Sequence, residues 1–82
     1  MVRRKLGIHQ RLAALAEHVR ESEYYECTWD LFRIAHFKGV DEKGAARALT
    51  AWARGERFNI MFEVRRVREI EVLYVLLRPK GA

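Results

Sequence analysis

A chain of 82 residues, half of them hydrophobic, has room for one hydrophobic core and no second domain, and it should not be disordered. Sixteen Lys and Arg against eleven Asp and Glu give a net charge of +5, which favours polyanionic partners. No apolar run approaches about 18 residues, so we expect no membrane span and no signal peptide. The single Cys27 excludes an internal disulfide and favours a reducing, cytoplasmic location.

The first predicted element is an amphipathic helix over residues 5–21. Its apolar side chains recur at the spacing of one helical face: Ile8, Leu12, Leu15, Ala16 and Val19. Residues 22–27 follow as a connection. We expect residues 1–5 and 79–82 to be flexible ends of a single domain that spans the whole chain.

Two further helices follow. Thr28 is a good N-cap for a second helix, which is apolar on most sides, as is typical of a central helix, and which ends at Gly39. Asp41 caps a third helix over residues 42–54, and Gly55 closes it. One face of this helix carries Ala45, Leu49, Trp52 and Ala53 and should pack inward. Another carries Lys43, Arg47, Thr50 and Arg54 and should point outward.

After Gly55 the apolar period changes to two, which predicts a β-hairpin. Phe58, Ile60, Phe62 and Val64 form the inward side of its first strand, residues 65–69 its tip, and residues 70–77 its second strand. Residues 72–77 are apolar on both sides, so this strand should be covered on both or have a partner. The predicted fold is α+β, with three helices followed by a C-terminal β-hairpin.

This order of elements resembles the winged helix-turn-helix family of DNA-binding domains. The stretch Gly39-Val40-Asp41 fits the short Gly-containing turn of that motif. The resemblance implies that the third helix enters the major groove and that the hairpin forms a wing against the DNA. By position, Lys43, Arg47, Thr50 and Arg54 would then face DNA. Arg65, Arg66 and Arg68 would lie at the wing tip.

The sequence departs from the family in two respects. Winged domains commonly have a short strand between the first two helices, and residues 24–27 are the one candidate for it. The third helix also has no Asn, Gln or Ser, which commonly read base edges, so we expect contacts to the DNA backbone rather than strong sequence specificity.

Other interpretations stay open. The basic row of the third helix could be a solvated face, and the hairpin arginines could limit aggregation. Phe58, Phe62, Tyr74 and Trp52 could stack on unpaired bases, which would make the protein a single-stranded DNA or RNA binder, although their spacing matches core positions. A protein-interaction subunit that uses the apolar second strand for assembly and binds no nucleic acid is a third hypothesis.

Catalytic and metal-binding patterns find little support. One Cys and three scattered His do not match the ligand spacing of a zinc site, and no Gly-rich phosphate loop occurs. We therefore predict a non-enzymatic protein without cofactor, metal or membrane contact. It would bind duplex DNA as a transcriptional regulator or chromatin-associated factor, and a homodimer would use the apolar second strand or the first helix.

Overall fold

The computed structural model describes residues 7–81, which form three helices and three strands. In chain order these are α1 (Ile8–Ser22), β1 (Tyr25–Thr28), α2 (Trp29–His36), α3 (Glu42–Gly55), β2 (Phe58–Val67) and β3 (Ile70–Pro79). The predicted α+β class and the C-terminal hairpin are confirmed. The expected flexible end at residues 1–5, the predicted helix start at Lys5 and the last residue, Ala82, lie outside the described residues.

The strands form one antiparallel sheet in the order β1-β3-β2. β1 pairs with β3 from Tyr25 opposite Leu77 to Thr28 opposite Tyr74. Within the connection expected at residues 22–27, residues 24–27 were the candidate for a short strand, and the structure has a strand at Tyr25–Thr28, where aromatic and β-branched residues favour a pleated backbone. The apolar β3 is therefore the central strand, with a neighbour along each edge.

The hairpin is regular over its full length. Its register runs without a bulge from Phe58 opposite Pro79 to Val67 opposite Ile70. The turn consists of Arg68 and Glu69 alone, both with positive φ (50° and 68°), which is the backbone that matches the twist of a two-residue hairpin. The predicted tip at residues 65–69 was thus too long, since Arg65 and Arg66 belong to β2.

The helices cover one face of this sheet, which we call the inner face. Three of its side chains contact helix aromatics: Tyr25 packs on Phe32, Phe58 on Trp52 and Phe62 on Trp29. By alternation along the strands, Val64 and Arg66 lie on the inner face as well. Glu26, Met61, Glu63, Arg65, Tyr74 and Leu76 lie on the opposite face, which we call the outer face.

The core follows the predicted helix faces closely. Leu12, Leu15, Ala16 and Val19 of α1 are buried, as are Ala45, Leu49 and Ala53 of α3. Phe58, Val75 and Leu77 complete the core from the sheet. Towards the turn the hairpin extends past the helices, so Phe62 and Val64 are 40% and 60% exposed although they continue the inward period.

Helix α2 departs from its prediction. Trp29 and Phe32 are buried, but Leu31 and Ile34 are 63% and 56% exposed, so the helix lies at the edge of the core and not at its centre. It also ends at His36, before Gly39, because Phe37 turns back into the core and is 2% exposed. The N-cap prediction is confirmed: the Thr28 hydroxyl accepts a hydrogen bond from the amide of Leu31 at 3.4 Å.

Candidate functional site

Helix α3 is held in a fixed orientation. At its start, Asp41 Oδ1 accepts a hydrogen bond of 2.7 Å from the amide of Gly44, which confirms the predicted cap. Along its inner side, Ala45, Leu49 and Ala53 are fully buried. Small residues at two of these positions let the helix approach the rest of the core closely. Side chains on the remaining sides of α3 are therefore displayed at defined positions.

The predicted basic row of α3 lies in solvent. Lys43, Arg47 and Arg54 are all exposed, and none of them forms an ion pair with a carboxylate among residues 7–81. From Lys43 to Arg54 a helix rises by roughly 16 Å. This distance corresponds to about five phosphates along one strand of a duplex. The row thus presents unneutralised positive charge over a length suited to a nucleic-acid backbone.

Thr50, the fourth residue of the row, differs from the other three. It is half-buried, and its hydroxyl donates a hydrogen bond of 2.9 Å to the carbonyl of Ala46 in the preceding turn. Such a bond satisfies the hydroxyl within the helix. Thr50 is therefore less available for an outside partner than Arg47 or Arg54.

The C-terminal end of the row meets the base of the hairpin in a small cleft. This cleft has a volume of about 210 Å³, and Thr50, Arg54, Asn59 and Lys80 contribute to its wall. Lys80 is held there because its amide donates a hydrogen bond of 3.0 Å to the carbonyl of Arg57. The sequence analysis missed Lys80, because a residue after Pro79 was expected to belong to a flexible end.

Arg65 is occupied within the protein. It contacts Glu26 of β1 at 2.7 Å and Glu63 of β2 at 2.8 Å, and its guanidinium lies 4.5 Å from the centre of the Tyr74 ring. The hydrogen bonds that Arg65 donates to Glu26 and, to a smaller extent, to Glu63 raise the pKa of Arg65, and the contact with Arg65 lowers the pKa of Glu26. Two carboxylates thus neutralise this arginine on the outer face.

Arg66 and Arg68 are the available arginines of the hairpin. Both are exposed, and neither is paired with a carboxylate in the part of the chain that the structure describes. Arg66 lies on the inner face, on the same side of the sheet as α3, whereas Arg65 lies on the outer face. The distance along β2 from Ile60, near the cleft, to Arg66 is roughly 20 Å. The structure therefore places Arg66 and Arg68 apart from the α3 row along the hairpin, but Arg66 on the same side of the sheet.

The aromatic side chains proposed for base stacking have partners inside the protein. Phe58 is 3% exposed and packs on Trp52, with ring centres 5.6 Å apart. The guanidinium of Arg65 packs over the ring of Tyr74. Of the four, Phe62 is substantially exposed, at 40%. Its ring centre lies 5.6 Å from that of Trp29, and the two rings are nearly perpendicular. These rings do not form an open stacking platform.

The described residues contain neither a cluster of metal ligands nor a membrane-spanning helix. Within residues 7–81, no three His, Cys, Asp or Glu side chains converge as metal ligands would. The helices in this range are too short or too polar to cross a membrane. No protein-family model matches the chain, and no significant similarity to a curated protein or to a solved structure was found.

Proposed function

We propose that the protein is a winged helix-like domain that binds duplex DNA without catalysing a reaction. The order α1-β1-α2-α3-β2-β3 and the sheet order β1-β3-β2 support this fold assignment. β1 supplies the short strand between the first two helices that such domains commonly have. In this arrangement α3 is the helix that enters the major groove, and the hairpin is the wing.

The observation that carries the proposal is the unpaired basic row of a rigidly packed helix. Lys43, Arg47 and Arg54 form no ion pair with a carboxylate of residues 7–81, while Ala45, Leu49 and Ala53 on the inner side of α3 are fully buried. An arginine with no internal partner keeps its full charge for phosphates, and it can also grip guanine bidentately. Lys80 extends the positive surface at the base of the hairpin.

In the hairpin, Arg66 and Arg68 are the proposed DNA contacts, and Arg65 has a structural part. Arg68 lies at the turn, where a wing reaches the backbone or the minor groove. Because the candidate contacts are Lys and Arg, without the amide side chains that read adenine, the domain binds DNA with modest sequence preference. This suits a chromatin-associated protein or a regulator whose site is selected partly by DNA shape.

Binding to single strands is the rival function. It requires exposed aromatic rings beside the basic residues. Trp52, Phe58 and Tyr74 are each packed against a side chain of this chain, so duplex DNA is the better-supported ligand. An assembly role without nucleic acid would leave the row of α3 merely solvated.

The test is a binding experiment with fluorescently labelled duplex and single-stranded oligonucleotides of the same sequence. We expect tighter binding to the duplex, and we expect Arg47→Ala and Arg54→Ala each to weaken it. Arg20→Ala is the matched control: it removes the same charge from α1, where the side chain pairs with Glu56 and lies against Phe58. No binding at low salt would refute the proposal, and preference for the single strand would favour the rival.

A further inference from the structure

The edge of β2 that faces away from β3 pairs with no other strand of residues 7–81, and this free edge carries few of the features that usually keep a sheet edge from pairing. Edge strands are commonly short, bulged, interrupted by Pro or covered. β2 has ten residues, contains no Pro and pairs with β3 without a bulge. Along it, Met61, Val64 and Val67 are 62%, 60% and 42% exposed. The strand is therefore a long and partly apolar edge.

The hairpin turn determines which backbone groups face outward from this edge. In a two-residue hairpin the residues that flank the turn, here Val67 and Ile70, exchange both of their backbone hydrogen bonds. The pairing then alternates along the strand, so odd-numbered residues of β2 bond to β3. Ile60, Phe62, Val64 and Arg66 direct their N–H and C=O groups towards the free edge. These groups form a ready template for another strand.

The charges of β2 complement each other when the strand pairs with a second copy of itself. A two-fold antiparallel pair places one residue opposite its own copy, because directly opposed residues must lie on the same face. With Val64 on the axis, Glu63 lies opposite Arg65 of the second copy, and this pair occurs twice. Met61 lies opposite Val67, and Val64 opposite itself.

The neighbouring registers lack this complementarity. An axis through residue 63 would place Glu63 opposite its own copy, and an axis through residue 65 would do the same for Arg65. Like charges directly opposed destabilise an antiparallel pair. The charged residues, which would normally protect an edge, here select one register and one partner, namely an identical strand.

We propose that two copies of this chain associate through their β2 edges, antiparallel about Val64, to form a continuous six-stranded sheet. The β2 edge replaces β3 as the strand expected to form the dimer, because β3 is the central strand and has a neighbour on each side. The proposal does not depend on DNA binding, because it rests on the outward backbone groups and the charges of β2 alone.

The register can be tested by exchanging charges in the full chain. Glu63→Arg places like charges opposite each other twice in its own homodimer, and so does Arg65→Glu. We expect each variant to self-associate about tenfold or more weakly than the wild type in sedimentation equilibrium. An equimolar mixture of the two restores opposite charges at both positions, so a heterodimer should form with near wild-type affinity. Glu17→Arg and Lys38→Glu, which change exposed charges away from β2, should leave association unchanged.

A cross-linking measurement tests the same register without the charge variants, so the test does not depend on those variants folding. In a Cys27→Ala background, Val64→Cys should form an intermolecular disulfide under mild oxidation, because the opposed Cα atoms would lie about 5.5 Å apart. Met61→Cys is equally exposed but lies away from the axis, and it should cross-link much more slowly. A wild type that stays monomeric at all concentrations, a mixture no tighter than its components, or equal cross-linking at both positions would overturn the proposal.

Discussion

The guanidinium of Arg65 lies 2.7 Å from the carboxylate of Glu26, although β3 separates the strands that carry them. The side chain crosses the outer face over the ring of Tyr74. One arginine thus ties β1 to β2 across the central strand. Its charge is neutralised by Glu26 and Glu63, which distinguishes it from Arg66 and Arg68 further along the hairpin.

The first prediction separates the structural arginine from the DNA-binding ones. Arg65→Ala should lower the melting temperature, because both carboxylates lose their partner, and it should leave duplex affinity nearly unchanged. Arg68→Ala should weaken duplex binding and leave the melting temperature unchanged, because Arg68 forms no ion pair with any carboxylate of residues 7–81. Thermal melting and fluorescence anisotropy measure the two effects. Loss of affinity in Arg65→Ala without any loss of stability would reverse this assignment.

Periodicity and capping in the sequence predicted the helices well. The buried set of α1 and the N-caps Thr28 and Asp41 follow from spacing and side-chain chemistry that act within a few residues. β1 was harder to predict, because a four-residue strand is specified by its pairing with β3, which is distant in sequence. The exposure of Leu31 and Ile34 depends on where α2 packs, and the apolar pattern alone does not determine this.

For the candidate site, the sequence predicted which residues are basic but not which of them are neutralised. Arg65 and Arg66 are adjacent, yet the strand directs one to the outer face and its carboxylates and the other to the inner face. If the hairpin turn were shifted by one residue, Arg65 would lie on the inner face and Arg66 on the outer face. The hairpin register, which was not signalled by Asn-Gly or Asp-Gly, therefore decided the outcome.

The second prediction concerns Gly44, whose missing side chain makes room for the cap of α3. A Cβ at this position would lie 2.7 Å from Val40 Cγ1 and 2.8 Å from Asp41 Oδ1. Gly44→Ala should therefore displace the capping carboxylate, and losing such a cap costs about 1 kcal/mol. Ala is normally about 1 kcal/mol more favourable than Gly inside a helix, and the loss of the cap offsets this gain. Urea denaturation measures the net change.

Gly55→Ala provides the matched control in the same helix. Apart from its chain neighbours and the backbone of its own helix, no atom of residues 7–81 lies within 4 Å of a Cβ at this position, so the substitution should stabilise the fold by about 0.4–1 kcal/mol. We expect Gly44→Ala to be less stable than Gly55→Ala by about 1 kcal/mol or more. Equal stability of the two variants would show that the cap tolerates a methyl group.

The third prediction concerns the pH dependence of stability through His36. Its ring packs on Phe32 with centres 4.5 Å apart, and burial, followed by the charge of Arg11, lowers the pKa of His36 below its ordinary 6.5. The unfolded chain therefore binds this proton more readily than the folded one. The contribution of His36 to the free energy of unfolding is fully present above the ordinary pKa of 6.5. It falls as the pH drops below that value and levels off below the pKa of His36 in the folded protein.

Urea midpoints at about pH 7.5 and about pH 5.5 lie on either side of the ordinary histidine pKa and measure this loss. The decrease in the urea midpoint between these two pH values should be smaller in His36→Gln than in the wild type. His9→Gln replaces an exposed histidine and should keep the wild-type decrease. An unchanged decrease in His36→Gln would mean that another group is responsible.

The most direct test of the proposed function is the salt dependence of duplex binding. If Lys43, Arg47, Arg54, Arg66 and Arg68 each neutralise one phosphate, log K should fall against log salt with a slope of about −4.5. Replacing Arg47 and Arg54 together with Ala removes two of these contacts, and the slope should change to about −2.7. A salt-independent affinity, or a slope that the double substitution leaves unchanged, would contradict the assignment of α3 as the DNA-binding helix.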